Sequence, residues 1–123
     1  MNEYREGPMT IYGMSQSSLV ERRLQIERGG QGIVLTFIDH VGNKEREKIM
    51  VQAGDLMAAV ASPPPGGSKV EGVSPPHGEK MQLDLEVHGN EVLLLAHSSG
   101  AGTDVAVGLD DFMDALGAAV GRE

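Results

Sequence analysis

The chain contains no cysteine and no tryptophan, and only two Tyr and two Phe among its 123 residues. Without cysteine there is no disulfide framework, no thiol nucleophile and no thiolate metal site. A reducing, cytoplasmic setting is the expectation. With 3% aromatic residues, the core must be assembled from Leu, Val, Ile, Met and Ala, and seven Met make it adaptable. Tyr4 and Tyr12 fall in a polar N-terminal stretch, while Phe37 and Phe112 read as core. No apolar run approaches the ~20 residues that cross a bilayer, so no membrane role is expected. Behind Glu3, Arg5 and Glu6 there is no apolar segment, and no signal peptide is expected.

What is present is acidic. The formal net charge is −8. Residues 1–61 hold seven Lys/Arg against eight Asp/Glu, whereas residues 62–123 hold three against ten. The second half therefore repels phosphate backbones and attracts basic partners.

The chain also repeats itself. Asp55, Leu56, Met57 and Val60 return as Asp111, Phe112, Met113 and Leu116. Upstream, Leu24, Ile26 and Gly30 match Leu83, Leu85 and Gly89. Val34 and Leu35 match Val92 and Leu93, and Ile49 and Val51 match Val105 and Val107. The offset reads as 59, then 58, then 56. Length and composition suit one domain with a modest core.

Local patterns define the unit. Val20, Leu24 and Ile26 alternate with polar residues, the period of a half-buried strand, and Arg22 interrupts their apolar face. Gly29, Gly30 and Gly32 supply a hairpin turn. Residues 33–38 are apolar on both faces, as in a strand covered on both sides. Residues 46–51 return as a third strand. Asp55 reads as the N-cap of a helix that Pro63, Pro64 and Pro65 stop. In the second copy Met81, Leu83, Leu85 and Val87 alternate with polar residues. Gly89-Asn90 marks a two-residue hairpin pairing residue 82 with 97 and residue 84 with 95. A third strand at 103–107 and a helix at 110–120 complete it.

The expected fold class is α+β: two tandem β-β-β-α repeats, with β-β-β-β-α as the alternative, forming antiparallel sheets packed on two helices. Residues 1–18 form a flexible arm, in which 9–12 could add a short strand. Residues 19–120 form a single domain: first repeat 19–61, a Pro/Gly linker 62–80 in which 70–73 could pair as an edge, and second repeat 81–120.

No catalytic residue, metal site or cofactor is expected. His88 and His97 stand about six residues apart along the sheet, on the order of 20 Å, too far to share a zinc ion. His77 is in the linker and His40 ends a strand of the other repeat. Residues 97–102 join a histidine to serines and glycines. They lack the Lys and following helix of a phosphate loop, and sequence supplies no third group to orient His97 as a base. Asp110, Asp111 and Asp114 suit a helix start, where the macrodipole favours acids. Arg22, Arg23, Arg28, Lys44, Arg46 and Lys48 are the candidate nucleic-acid-binding residues, interleaved with Glu21, Glu27, Glu45 and Glu47.

The duplicated order of sheet then helix resembles the Whirly and Pur-alpha families over about residues 19–120. That resemblance implies repeats of four antiparallel strands and a helix, and single-stranded nucleic acid as partner. Two functions are therefore expected. The first is a non-enzymatic interaction module that binds another protein, or a second copy of itself, through sheet faces or edges. The second is a single-stranded nucleic-acid-binding regulator using the six basic residues.

Overall fold

Alternation governs most of the chain, and its inward residues find one another. The computed structural model describes residues 8–30, 32–75 and 78–120. These form β1 (Met9–Met14), β2 (Glu21–Gly29), β3 (Gly32–Asp39), β4 (Lys44–Gln52) and α1 (Ala53–Ala61). Then come β5 (Ser68–Ser74), β6 (Glu79–His88), β7 (Glu91–His97), β8 (Thr103–Gly108) and α2 (Leu109–Val120). Leu24, Ile26, Leu35, Ile49, Leu83, Leu94 and Val105 are fully buried in one apolar cluster. Outward positions of the same strands carry Arg23, Gln25, Glu27, Gln82, Asp84 and Glu86.

Each strand pairs antiparallel with the next, and β1 pairs with β8. The sheet closes into an eight-stranded barrel. This overturns the expected α+β plan of tandem β-β-β-α repeats with separate sheets packed on two helices. An eight-stranded barrel is just wide enough for its inward side chains to fill it. The strands bury one another inside the barrel, and the two helices add to that core only from outside its seams. Closure also conflicts with the Whirly-like plan and removes the free sheet edges that motivated edge-mediated binding.

The strands that close the barrel come from the segments read as arm and linker. Met9–Met14 is β1, and Ser68–Ser74 is β5. Tyr4 and His77 lie outside the described residues. At the two seams pairing is sparse: Met50↔Val73 and Val51↔Gly72 join β4 to β5, and Met14↔Ala106 joins β1 to β8. A helix covers each seam. α1 packs on β4 and β5, and α2 packs on β1, β2, β7 and β8. No helix of the described residues is long and apolar enough to cross a membrane.

The duplication is visible in the register. Ile26↔Leu35 in the first half is Leu85↔Leu94 in the second, an offset of 59 on both strands. The offset of 58 read for Val34 and Leu35 was a one-residue slip: their counterparts are Leu93 and Leu94. Such a slip exchanges the two faces of a strand. From β4 onward the offset is 56, as Ile33↔Val51 becomes Val92↔Val107. The helices keep it, burying Leu56, Ala59 and Val60 in α1 and Phe112, Ala115 and Leu116 in α2. Met57 and Met113, counterparts in the repeat, are both exposed. Gln52 holds the N-cap position of α1 without a side-chain bond, and Asp55 sits in the first turn instead.

Candidate functional site

The six basic residues do not form one surface. Arg22 faces inward from β2 and is 4% exposed. Its Nε donates to Asp39 Oδ1 at 2.9 Å, and an Nη donates to the Asp104 carbonyl at 2.7 Å. Arg46 Nε lies 3.3 Å from Asp39 Oδ2, and Lys48 Nζ lies 3.8 Å from Glu45. Arg23 donates to the Asn43 side-chain oxygen. Arg28 is six positions along β2 from Arg22, roughly 20 Å away. Lys44 starts β4 opposite Asp39, at the other end of the barrel. Arg22, Lys44 and Arg46 thus meet at one small cleft while Arg28 stands at the opposite end, and Arg22, Arg46 and Lys48 are matched by carboxylates.

Arg22 belongs to a polar hub that seals the β8/β1 seam. Asp104 sits 3.7 Å from the guanidinium. The hydroxyls of Ser17 and Ser15 donate to its carboxylate at 2.6 and 2.7 Å, and the Gln16 and Ser17 N–H groups at 2.8 and 3.2 Å. Burial pushes the Asp104 pKa up, but these four hydrogen bonds outweigh it and hold the carboxyl below its ordinary value. Glu47 moves the other way, raised by burial against a smaller opposing bond from the Lys48 N–H.

The loop that wraps Asp104 is pinned on itself as well. Ser15 N–H donates to Val20 O and Leu19 N–H to Ser15 O, both at 2.8 Å. This holds Leu19 at φ +59°, a left-handed conformation that costs a branched residue about 1 kcal/mol. Its side chain is 75% exposed. Next to it, His40 N–H donates to Glu21 O at 3.1 Å, which brings the β3–β4 turn beside the start of β2. Val41 on that turn is 84% exposed and Tyr12 on β1 is 64% exposed. The Tyr12 and His40 rings meet edge to face, 5.8 Å between centroids. Met14 and Val20 are also exposed, and the register places all of these at one end of the first half, an apolar patch interspersed with Arg23, His40 and Asn43.

The second half serves as an internal control. At the 59-residue offset, Tyr12, Leu19 and Val20 correspond to Glu71, Gly78 and Glu79. The loop corresponding to the Val41 turn, residues 98–102, contains only serine, glycine and alanine. The same backbone plan is therefore met without exposed apolar side chains, so the fold does not demand the patch.

A second feature lies at the β4/β5 seam, a cleft of about 950 Å³. Its lining includes Asp55, Glu71, Lys80, Gln82, His97 and Ser98, over Met50, Val73 and Met81. His97 Nε2 lies 3.1 Å from Asp84 Oδ2, and Gln82 Nε2 donates to Asp84 Oδ1 at 2.7 Å. The sequence contained this pair, since the Gly89-Asn90 hairpin sets residues 82 and 84 opposite 97 and 95. Asp84 orients the imidazole, but among the described residues no serine hydroxyl bonds it. No group of three or more potential metal ligands occurs among the described residues.

No protein-family model, curated protein or solved structure matches this chain.

Proposed function

We propose that this protein is a non-enzymatic interaction module that grips a partner protein through the apolar patch of its first half. The observation that carries this reading is the exposure of Tyr12, Leu19 and Val41 at positions where the second half has glutamate, glycine or serine. Contiguous apolar surface rimmed by polar residues marks interaction sites. Leu19 adds to it, since a strained backbone held by surrounding bonds is a signature of function. The net charge of −8 makes two copies repel and favours a basic partner. With the barrel closed, recognition runs through side chains rather than strand addition. The single-stranded nucleic-acid reading draws less support, because Arg22, Arg46 and Lys48 already face carboxylates.

A photo-crosslinking amino acid at position 12, with one at position 71 as control, tests the proposal in the source cell. The expected result is a protein adduct from position 12 that disappears with Leu19→Ser and Val41→Ser. Equal adducts from both positions, or adducts insensitive to those changes, would overturn it.

A further inference from the structure

Opposite charges line the β4/β5 cleft without pairing with one another. Asp55 enters from the first turn of α1, Glu71 from β5 and Lys80 from β6. Arg46 pairs with Asp39 and Lys69 with Asp84, whereas Asp55, Glu71 and Lys80 are exposed at the cleft. Among the described residues, none of Asp55, Glu71 and Lys80 makes an ion pair.

Their placement is polar in direction. Glu71 stands opposite Gln82, and Lys80 stands opposite Val73, two residues further along β5. Glu71 and Lys80 are thus diagonal neighbours, about 7 Å apart at the backbone. His97 lies beside Gln82 on the next strand, its ring held by Asp84. The carboxylates thus come from α1 and β5 and the ammonium from β6, over apolar Val73 and Met81, while the His97 imidazole on β7 already faces Asp84. The corresponding residues of the first half are Tyr12 for Glu71, Glu21 for Lys80 and Ile38 for His97. The repeat does not require this arrangement.

We propose that this cleft binds a zwitterionic ligand, a free amino acid or a short peptide with free termini. Its ammonium group lies toward Asp55 and Glu71, and its carboxylate lies toward Lys80. A ligand of one charge sign meets repulsion at one end, whereas a zwitterion satisfies both. The volume falls within the roughly 300–1,000 Å³ of small-molecule sites. The cleft is separate from the apolar patch, so this inference stands independently of the protein-binding reading.

The test is an NMR titration of the intact chain with glycine, leucine, glutamate and arginine, and with Gly-Gly and Leu-Gly. The N-acetylated, C-amidated forms of each are the controls. Saturable shifts at the Gly72, Gln82 and His97 amides are expected from free-ended ligands and not from capped ones. Which set binds more tightly distinguishes amino acid from peptide. Glu71→Gln and Lys80→Met are each expected to weaken binding by about tenfold, with the rest of the spectrum unchanged. No shift up to about 10 mM, equal binding of capped ligands, or unchanged binding in both variants would overturn the proposal.

Discussion

Gly13 and Gly72 are one position used twice. They lie 59 residues apart, each on the strand that closes a seam, and each faces a backbone carbonyl across it. A Cβ on Gly13 would stand 2.1 Å from Ala106 O, and one on Gly72 would stand 2.5 Å from Met50 O. Ala106 and Met50 are themselves counterparts, paired with Met14 and Val73. The two halves of the barrel meet through the same close approach.

Alanine at either glycine must therefore push the seam apart. Gly13→Ala and Gly72→Ala are each expected to cost about 1–3 kcal/mol, read from urea midpoints. Gly117 in α2 has nothing within 4 Å of an added Cβ. Gly117→Ala is expected to stabilise by about 0.5–1 kcal/mol.

Arg22 and Asp39 correspond to Met81 and Ser98 in the second half. Arg22→Met alone strips Asp39 of its buried partner and the Asp104 carbonyl of its donor. A loss of about 3 kcal/mol is expected. Adding Asp39→Ser copies the second-half solution, and the double variant is expected to recover most of that loss. A double-mutant cycle in denaturant measures the coupling.

Two carboxylates give stability opposite dependences on pH. Asp104 holds its proton less tightly folded than unfolded. Its contribution is present above the unfolded carboxylate range and is lost as pH falls through the folded pKa, below 3.8. Glu47 is raised above 4.5, so its ionisation costs stability as pH rises through the interval above that value. Asp104→Asn is expected to be destabilised at neutral pH and to converge on the parent in acid. Glu47→Gln is expected to be stabilised at neutral pH, with the gain fading below 4.5. Denaturant midpoints across the acid range check both signs.

Leu19 sits at φ +59°. Leu19→Asn is expected to raise stability by about 1 kcal/mol, since Asn tolerates this conformation. The same change is expected to abolish crosslinking from position 12. Gain of stability with loss of binding would identify Leu19 as a residue kept for its partner.

Fluorescent single-stranded DNA and RNA are expected to show no binding even at low salt. Binding that weakened steeply with salt would instead count phosphates neutralised by free cations.

The hairpins were legible in the sequence because their signals are local. Gly30 and Gly89 turn with φ of 62° and 59°, and the Gly89-Asn90 register follows directly from the alternation of Met81, Leu83 and Leu85. Closure was not legible. It depends on contacts between residues far apart, such as Met14 with Ala106; β1 stands between Gly7-Pro8 and a Ser/Gln run, and β5 carries a glycine amid polar residues. Those are marks of an arm or a linker until the seam explains them. Arg22 read as a break in an apolar face and a phosphate contact, because its partners Asp39 and Asp104 come from other strands. Likewise, exposure of Tyr12 and Leu19 is set by tertiary position, which alternation does not encode.

Because both seams carry the same register and the same covering helix, neither is privileged as the place where the chain begins. A circular permutant opened within residues 62–67, with a flexible linker joining the original ends, would retain every strand pair of the barrel. Chain order is here a matter of genetic layout, while the architecture is cyclic.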